Sequence, residues 1–290
     1  MNRGVSIAKP NDCVANEDAF YSSENCIAVS DGAGGCGLYA DEWSRYLIEN
    51  LPKEKPITSF EELDEWVDGI WEAFYNAHEE MAKEDDTLLS KFYKEGSCAT
   101  IACAWMTGKD KCGWMAYGDS VVFHYSRKKG SLEHSFTRLA DFSNPPRLVS
   151  CKDPLEEEGF KCGEFNLDST SIVFVASDAL SHYVLMMYEL SKCGEYGEEL
   201  AEEYLKPSGN SQLLKMAETM QFHFEKDVLH PLLDSTSSEK QFRNHLLNLY
   251  DQGILDMDDY TLVHISELQC GDCNFAFKKR VLKKLVTHHP

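Results

Sequence analysis

The feature that most constrains this chain is a design it uses twice: a short apolar run that ends in an aspartate. Cys26-Ile27-Ala28-Val29-Ser30-Asp31 runs straight into Gly32-Ala33-Gly34-Gly35, and Ser171-Ile172-Val173-Phe174-Val175-Ala176-Ser177-Asp178 repeats the pattern far downstream. Each run has the length and composition of a buried strand. A strand that stops in a carboxylate and a glycine-rich turn brings one charge and several bare backbone groups to the same small space. Alone, Asp-Gly after a strand is an ordinary turn. A third acidic group changes that reading: Asp256-Met257-Asp258-Asp259 leads directly into the apolar run Tyr260 to Ile265.

The rest of the chain is expected to form one domain spanning residues 1–290. Residues 4–8 and 25–30 have strand character, and a helix is expected over about 39–51. Ser59 followed three residues later by Glu62 has the form of a capping box. It opens an apolar stripe from Phe60 to Phe74, expected to be one long helix. Strands follow over 97–106, 113–117 and 121–125, with connections short enough to imply antiparallel hairpins. Helices before antiparallel strands point to an α+β architecture. A helical insertion is expected at about 183–250, with breaks near Cys193-Gly194 and Pro207-Ser208-Gly209. A basic amphipathic helix is expected at about 275–287, where Phe277, Val281 and Leu285 alternate with lysines.

Charge narrows the partners. With 28 basic and 49 acidic side chains the formal charge is −21, the wrong sign for nucleic acid. No apolar stretch is long enough for a signal peptide or a membrane span, so a cytoplasmic protein is expected. The 11 cysteines are scattered through strand-like runs, as for reduced thiols in a core. Cys270-Gly271-Asp272-Cys273 has zinc half-site spacing but no matching second half.

Glu17, Asp31, Asp178 and Asp258 all stand beside strands. Four carboxylates brought together repel one another, and hard divalent cations make such a grouping favourable. An all-oxygen set favours magnesium or manganese over zinc. Two such ions would turn a bridging water into a nucleophile near neutral pH and screen an incoming phosphate. Other hydrolytic schemes lack their residues: there is no His-Glu-x-x-His, no Gly-x-Ser-x-Gly elbow and no Walker loop. No cysteine lies in a phosphate loop. The ten histidines stand singly and are read as structural.

The ordered series Asn16-Glu17-Asp18-Ala19, Ser30-Asp31-Gly32-Ala33-Gly34-Gly35, Gly96-Ser97-Cys98-Ala99-Thr100, Gly118-Asp119-Ser120, Ser177-Asp178-Ala179-Leu180 and Asp258-Asp259-Tyr260-Thr261 resembles the metal-dependent serine/threonine protein phosphatases of type 2C, over residues 4 to about 266. The resemblance implies an α+β, four-layer α-β-β-α sandwich of two antiparallel sheets flanked by helices. It implies a site for two Mn2+ or Mg2+ ions: Asp31 bridging both, Gly32 offering its carbonyl to one, and Glu17, Asp178 and Asp258 binding the other. Asp18 would hold metal-bound water, and Asp119 would help to hold a third, weaker ion. Gly96, Ser97 and Thr100 would be structural. The implied substrate is a phosphorylated protein; apart from the resemblance, a monomer is expected, with neither nucleic acid nor membrane as partner.

The sequence also departs from that family. Cys13 stands where an arginine often contacts phosphate, leaving Lys9 or Arg3 to reach in. Ala33 replaces a histidine found in some members, which would leave proton donation to a metal-bound water. Ala179, Asp259 and Val121 replace a glycine, an asparagine and an arginine. A catalytically weak phosphoprotein-binding module and a phosphatase of small molecules therefore remain alternative readings.

Overall fold

A computed structural model describes residues 2–9, 15–192 and 222–265. Two five-stranded antiparallel sheets face each other. The first has β1 (Arg3–Ile7), β12 (Tyr260–Ile265), β11 (Ser171–Ala176), β7 (Val121–Ser126) and β8 (Ser131–His134) side by side. The second has β10 (Phe160–Asn166), β6 (Lys111–Tyr117), β5 (Ile101–Met106), β3 (Cys26–Asp31) and β2 (Asp18–Ser22). The short β4 (Cys98–Ala99) and β9 (Val149–Ser150) pair with each other.

The uninterrupted apolar runs follow from burial on both faces, because successive side chains of a strand point to opposite sides. Ile27, Val29, Val173, Val175 and Val263 fill the space between the sheets. Their neighbours Ala28, Phe174 and Leu262 point outward, under helices. One helical layer is α1 (Ala40–Asn50), α2 (Phe60–Asp68), α3 (Trp71–Ala82) and α4 (Asp86–Glu95). It places Trp43, Leu47, Leu63, Phe74 and Phe92 on the second sheet. The other is α5 (Asp178–Ser191), a π-helical turn (Phe224–Leu229) running into α6 (His230–Ser235), and α7 (Glu239–Asp251). Leu180, Val184, Leu232, Phe242 and Leu246 cover the first sheet. The result is the α-β-β-α sandwich that the resemblance implies.

Three local expectations are corrected. The stripe from Phe60 to Phe74 is two helices, not one, because the chain turns at Gly69 and its N–H closes on the carbonyls of Glu65 and Val67. The Ser59 cap forms, with its side chain accepting from Glu62 N–H. Glu62 returns its own carboxylate to Thr58 N–H, not to the cap residue. The connection from β6 to β7 is not a hairpin, for the two strands belong to different sheets. Gly118 makes the crossing possible at φ +106°, where a Cβ would strike Thr100.

The stretch Asp18 to Ser22, which lacks a strand's sequence signature, is a strand in register with β3. The described cysteines are free thiols, and burial drives Cys26 and Cys112 up to about 12. Among the described residues no helix is long and apolar enough to cross a membrane. The expected breaks near 193 and 207–209, the expected helix at about 275–287, Cys13 and the Cys270–Cys273 pair lie outside the described residues.

Candidate metal centre

The β2–β3 hairpin register sets Asp18 directly opposite Asp31. Opposed residues of an antiparallel pair share a face, so the two carboxylates leave the sheet on the same side. Asp31 is fixed through its backbone: its N–H donates to Thr100 Oγ1 at 3.2 Å and its carbonyl accepts from Thr100 N–H at 2.8 Å. Thr100 Oγ1 also meets Ser120 Oγ at 2.7 Å, beside Asp119. Ser30 Oγ donates to the Thr100 carbonyl at 2.7 Å. Neutral hydroxyls thus hold the strand ends that carry charge, the structural part expected of Thr100.

The glycine turn accommodates Glu17. Gly32 N–H donates to the Glu17 carbonyl at 3.1 Å, and a Cβ on Gly32 would come within 2.7 Å of that oxygen. A Cβ on Gly34 would overlap the Glu17 carboxylate itself. The Gly32 carbonyl accepts from Gly34 N–H at 3.1 Å, which leaves one lone pair for another partner. Asp178 opens α5, where the helix dipole favours an anion, with Ser177 as the cap residue. Ser177 is tied to β12 in both directions: its N–H donates to the Thr261 carbonyl, and its hydroxyl accepts from Thr261 N–H.

Asp259, an apparent departure in sequence, is a structural clamp. Its Oδ1 accepts from Lys9 N–H at 2.7 Å and its Oδ2 from Glu17 N–H at 2.6 Å. One carboxylate thereby fixes the exit of β1 and the entry to β2. Nothing local in the sequence marks these partners, which are 250 and 242 positions away.

Each of the candidate carboxylates is held above its ordinary range, with burial as the leading cause. Asp31 is raised well above it by burial, then by Asp18, Asp178, Asp119 and Asp258. Asp178 is raised by burial, then by Asp119, Asp258 and Asp18. Burial brings Asp119 to about 6, with Asp258 adding to it. Asp18 reaches about 7. Both of its oxygens are buried without a hydrogen-bond partner. The hydroxyls of Thr261 and Ser177 ease its ionisation, but Thr261 Oγ1 donates to Ser6 Oγ.

Two groupings result, with Asp258 common to both. Asp18, Asp31, Asp119 and Asp178 perturb one another or share Asp258. Glu17 stands apart, among Lys9, Asp259, Asp41 and Asp258. Lys9 Nζ lies 4.0 Å from Glu17 Oε2, and its charge lowers both Glu17 and Asp258. Arg3 is not at this site. It pairs with His264 along β12 while Tyr260 begins that strand, and it lines a separate cavity of about 420 Å³ with Arg127 and His230.

Asp119, Asp178 and Asp258 line a cleft of about 290 Å³. Leu139 and Phe142 form its apolar side, and His182 stands in the same wall. Sequence alone assigns His182 a structural part; the signal that points to the cleft is its place four residues after Asp178, one helical turn along the same face.

The residues fit a divalent cation. Charges that repel one another, an all-oxygen donor set and the unpartnered oxygens of Asp18 are what such an ion would satisfy. Among the described residues, no three acidic, histidine or cysteine side chains already stand as a metal cage.

No protein-family model and no curated protein matches the sequence. Solved structures do. The S. agalactiae serine/threonine phosphatase is 14% identical, with 91% of this chain and 98% of that chain covered and a TM-score of 0.51. The Mycobacterium tuberculosis serine/threonine phosphatase PstP is 18% identical, with 91% and 97% covered and a TM-score of 0.50. The catalytic domain of PstP in complex with two manganese ions is 17% identical, with 91% and 96% covered and a TM-score of 0.49. The chain has the fold of the first two of these structures.

Proposed function

We propose that this protein hydrolyses phosphoserine and phosphothreonine in phosphorylated proteins, with magnesium or manganese at the carboxylate cluster. The observation that carries the reading is the convergence of carboxylates from separate strand ends: Asp119, Asp178 and Asp258 line one cleft, and Asp31, buried, is raised by burial and then by Asp18, Asp178, Asp119 and Asp258. Asp31, with the Gly32 carbonyl, Glu17, Asp178 and Asp258 would hold two ions, and Asp119 would contribute to a third. Bound there, such ions supply positive charge against phosphoryl oxygens and acidify a water.

The chain's own residues do the rest. Asp31 and Asp178 present their charge from rigid backbone, one at a strand end and the other on the first residue of a helix. Asp18, buried opposite Asp31, offers two oxygens free to accept hydrogen bonds and so to orient a water. Lys9, beside Glu17, supplies a positive charge at the edge of an acidic site, where a phosphate dianion needs one. The apolar side of the cleft excludes water and suits the side chains that flank a phosphorylated residue.

The test is turnover by purified protein, with manganese or magnesium, of p-nitrophenyl phosphate and of phosphothreonine peptides, released phosphate being measured. Hydrolysis of both, abolished by chelation and by Asp31→Asn, is the expected result. Phosphopeptide binding in calorimetry without turnover would overturn the reading and leave a phosphoprotein-binding module.

A further inference from the structure

We propose that His182 gives the proton to the serine or threonine oxygen as it leaves phosphorus. The proposal rests on the phosphatase reading of the cleft and adds to it a residue for the difficult half of the reaction. An alkoxide is a poor leaving group, and a proton supplied as the P–O bond breaks is worth about 10²- to 10⁴-fold in rate. The Asp31 turn has no side chain for this, since Ala33 and the glycines around it carry no proton to give. In the cleft wall formed with Asp119, Asp178 and Asp258, His182 is the nitrogen base.

Its surroundings hold the ring in place. Phe142 meets it edge-on at 5.3 Å and 74°. Phe136 stacks on Phe142 at 4.1 Å, and Lys161 Nζ lies 5.1 Å from the Phe136 ring. The ring thus ends an aromatic column that borders the cleft, and it is not packed away in the core. Burial favours the neutral imidazole and the Asp256 carboxylate opposes that. A bound phosphate dianion would act with Asp256. Burial prevails over Asp256 and holds the free imidazole below its ordinary pKa, so a proton on the ring is readily given up, and the negative charge of the bound phosphate is what would keep that proton there until the leaving oxygen takes it.

The step balances. Water forms the new bond to phosphorus through its oxygen and releases a proton to solvent. The P–O bond to the side-chain oxygen breaks with its electron pair on that oxygen, which takes the proton from the His182 ring nitrogen. Solvent returns a proton to the ring, and the products are the free hydroxyl and inorganic phosphate.

The experiment varies the leaving group. With manganese, kcat is measured for wild type, His182→Ala and His182→Gln on aryl phosphates of graded phenol acidity and on a phosphothreonine peptide. On the peptide, kcat is expected to fall by about 10²-fold or more in both variants. The loss should shrink steadily as the phenol becomes more acidic, so that log kcat depends more steeply on leaving-group pKa, and added imidazole should restore part of the peptide activity of His182→Ala. Equal losses across the series, or no loss on the peptide, would overturn the assignment and leave the phosphatase reading intact. Wild-type protein inactive on every substrate would remove both.

Discussion

Asp18→Asn tests the energetic core of the candidate site without any appeal to turnover. Asp18 is 5% exposed, both its oxygens lack partners, and its pKa rises from 3.8 to about 7. A carboxyl whose pKa is raised on folding binds its proton more tightly in the native state. Its charge therefore costs stability, in full above pH 7 and less as the pH falls towards 3.8. The gap from 3.8 to about 7 corresponds to about 4 kcal/mol. The substituted amide would carry two hydrogens, and leaving one unsatisfied costs up to about 2 kcal/mol; Asp31, directly opposite, is placed to accept one. Metal-free Asp18→Asn should thus be more stable than wild type by about 2 kcal/mol or more at pH 8. The advantage should shrink by more than half at pH 5, where folded wild type carries the proton already. The assay is urea unfolding in chelator at both pH values, compared as a difference because His264, held down at about 4 by burial, pulls the other way on acidification. A variant less stable than wild type at pH 8, or a difference indifferent to pH, would refute the reasoning.

The other predictions concern the ions and the groups around them. Manganese at about 100 times its Kd should stabilise wild type by about 2.7 kcal/mol, read as a rise in Tm; Asp31→Asn and Asp178→Asn should lose most of that rise while folding in chelator at least as well as wild type. Gly34→Ala forces the Glu17 carboxylate aside and should weaken manganese binding by about tenfold, the scale of a disturbed ligand environment, as measured by calorimetry. Asp259→Ala leaves the N–H groups of Lys9 and Glu17 without their acceptor and should cost about 1–3 kcal/mol in urea unfolding. Lys9→Met should raise KM for a phosphopeptide about fivefold, the factor that about 1 kcal/mol represents, with a smaller effect on kcat.

The parts of the site that can be read in the sequence are those where charge and strand are contiguous. Asp31 and Asp178 close apolar runs and Asp258 precedes one, so a local pattern suffices to place all three at strand ends. Asp18 is harder, because β2 is only five residues long and is defined by its pairing with β3. The part played by Asp259 is invisible in sequence: it depends on accepting from two N–H groups that only the fold brings near. The same holds for Gly34, whose missing side chain makes room for a carboxylate from another strand. His182 stands in plain view one turn after Asp178, yet a lone histidine on a helix is read as structural until a cleft is seen beside it. The division of the Phe60–Phe74 stripe is hidden because the apolar spacing continues across the break, which is marked only by Gly69 and its N–H closing on the carbonyls of Glu65 and Val67.

A cluster of carboxylates that disfavours its own fold has to be held by something indifferent to charge, and the structure shows what that is. Asp31 hangs from Thr100, and Thr100 from Ser120 and Ser30, entirely through neutral hydroxyl and backbone hydrogen bonds. Asp178 hangs from the Ser177–Thr261 exchange; Glu17 is the exception, held through its backbone N–H by the Asp259 carboxylate, whose charge adds to the repulsion on it. These bonds leave the candidate donor atoms alone; of those atoms Asp178 Oδ1 accepts only the neighbouring Ala179 N–H and Asp258 Oδ1 the Asp259 N–H, and both oxygens of Asp18 are unpartnered. Strengthening the fold by pairing those oxygens internally would remove the capacity to bind an ion. On the proposed metal-centre reading, the repulsion at Asp18, Asp31, Asp119 and Asp178 is the cost of a prepared site, which a cation from outside the chain would relieve.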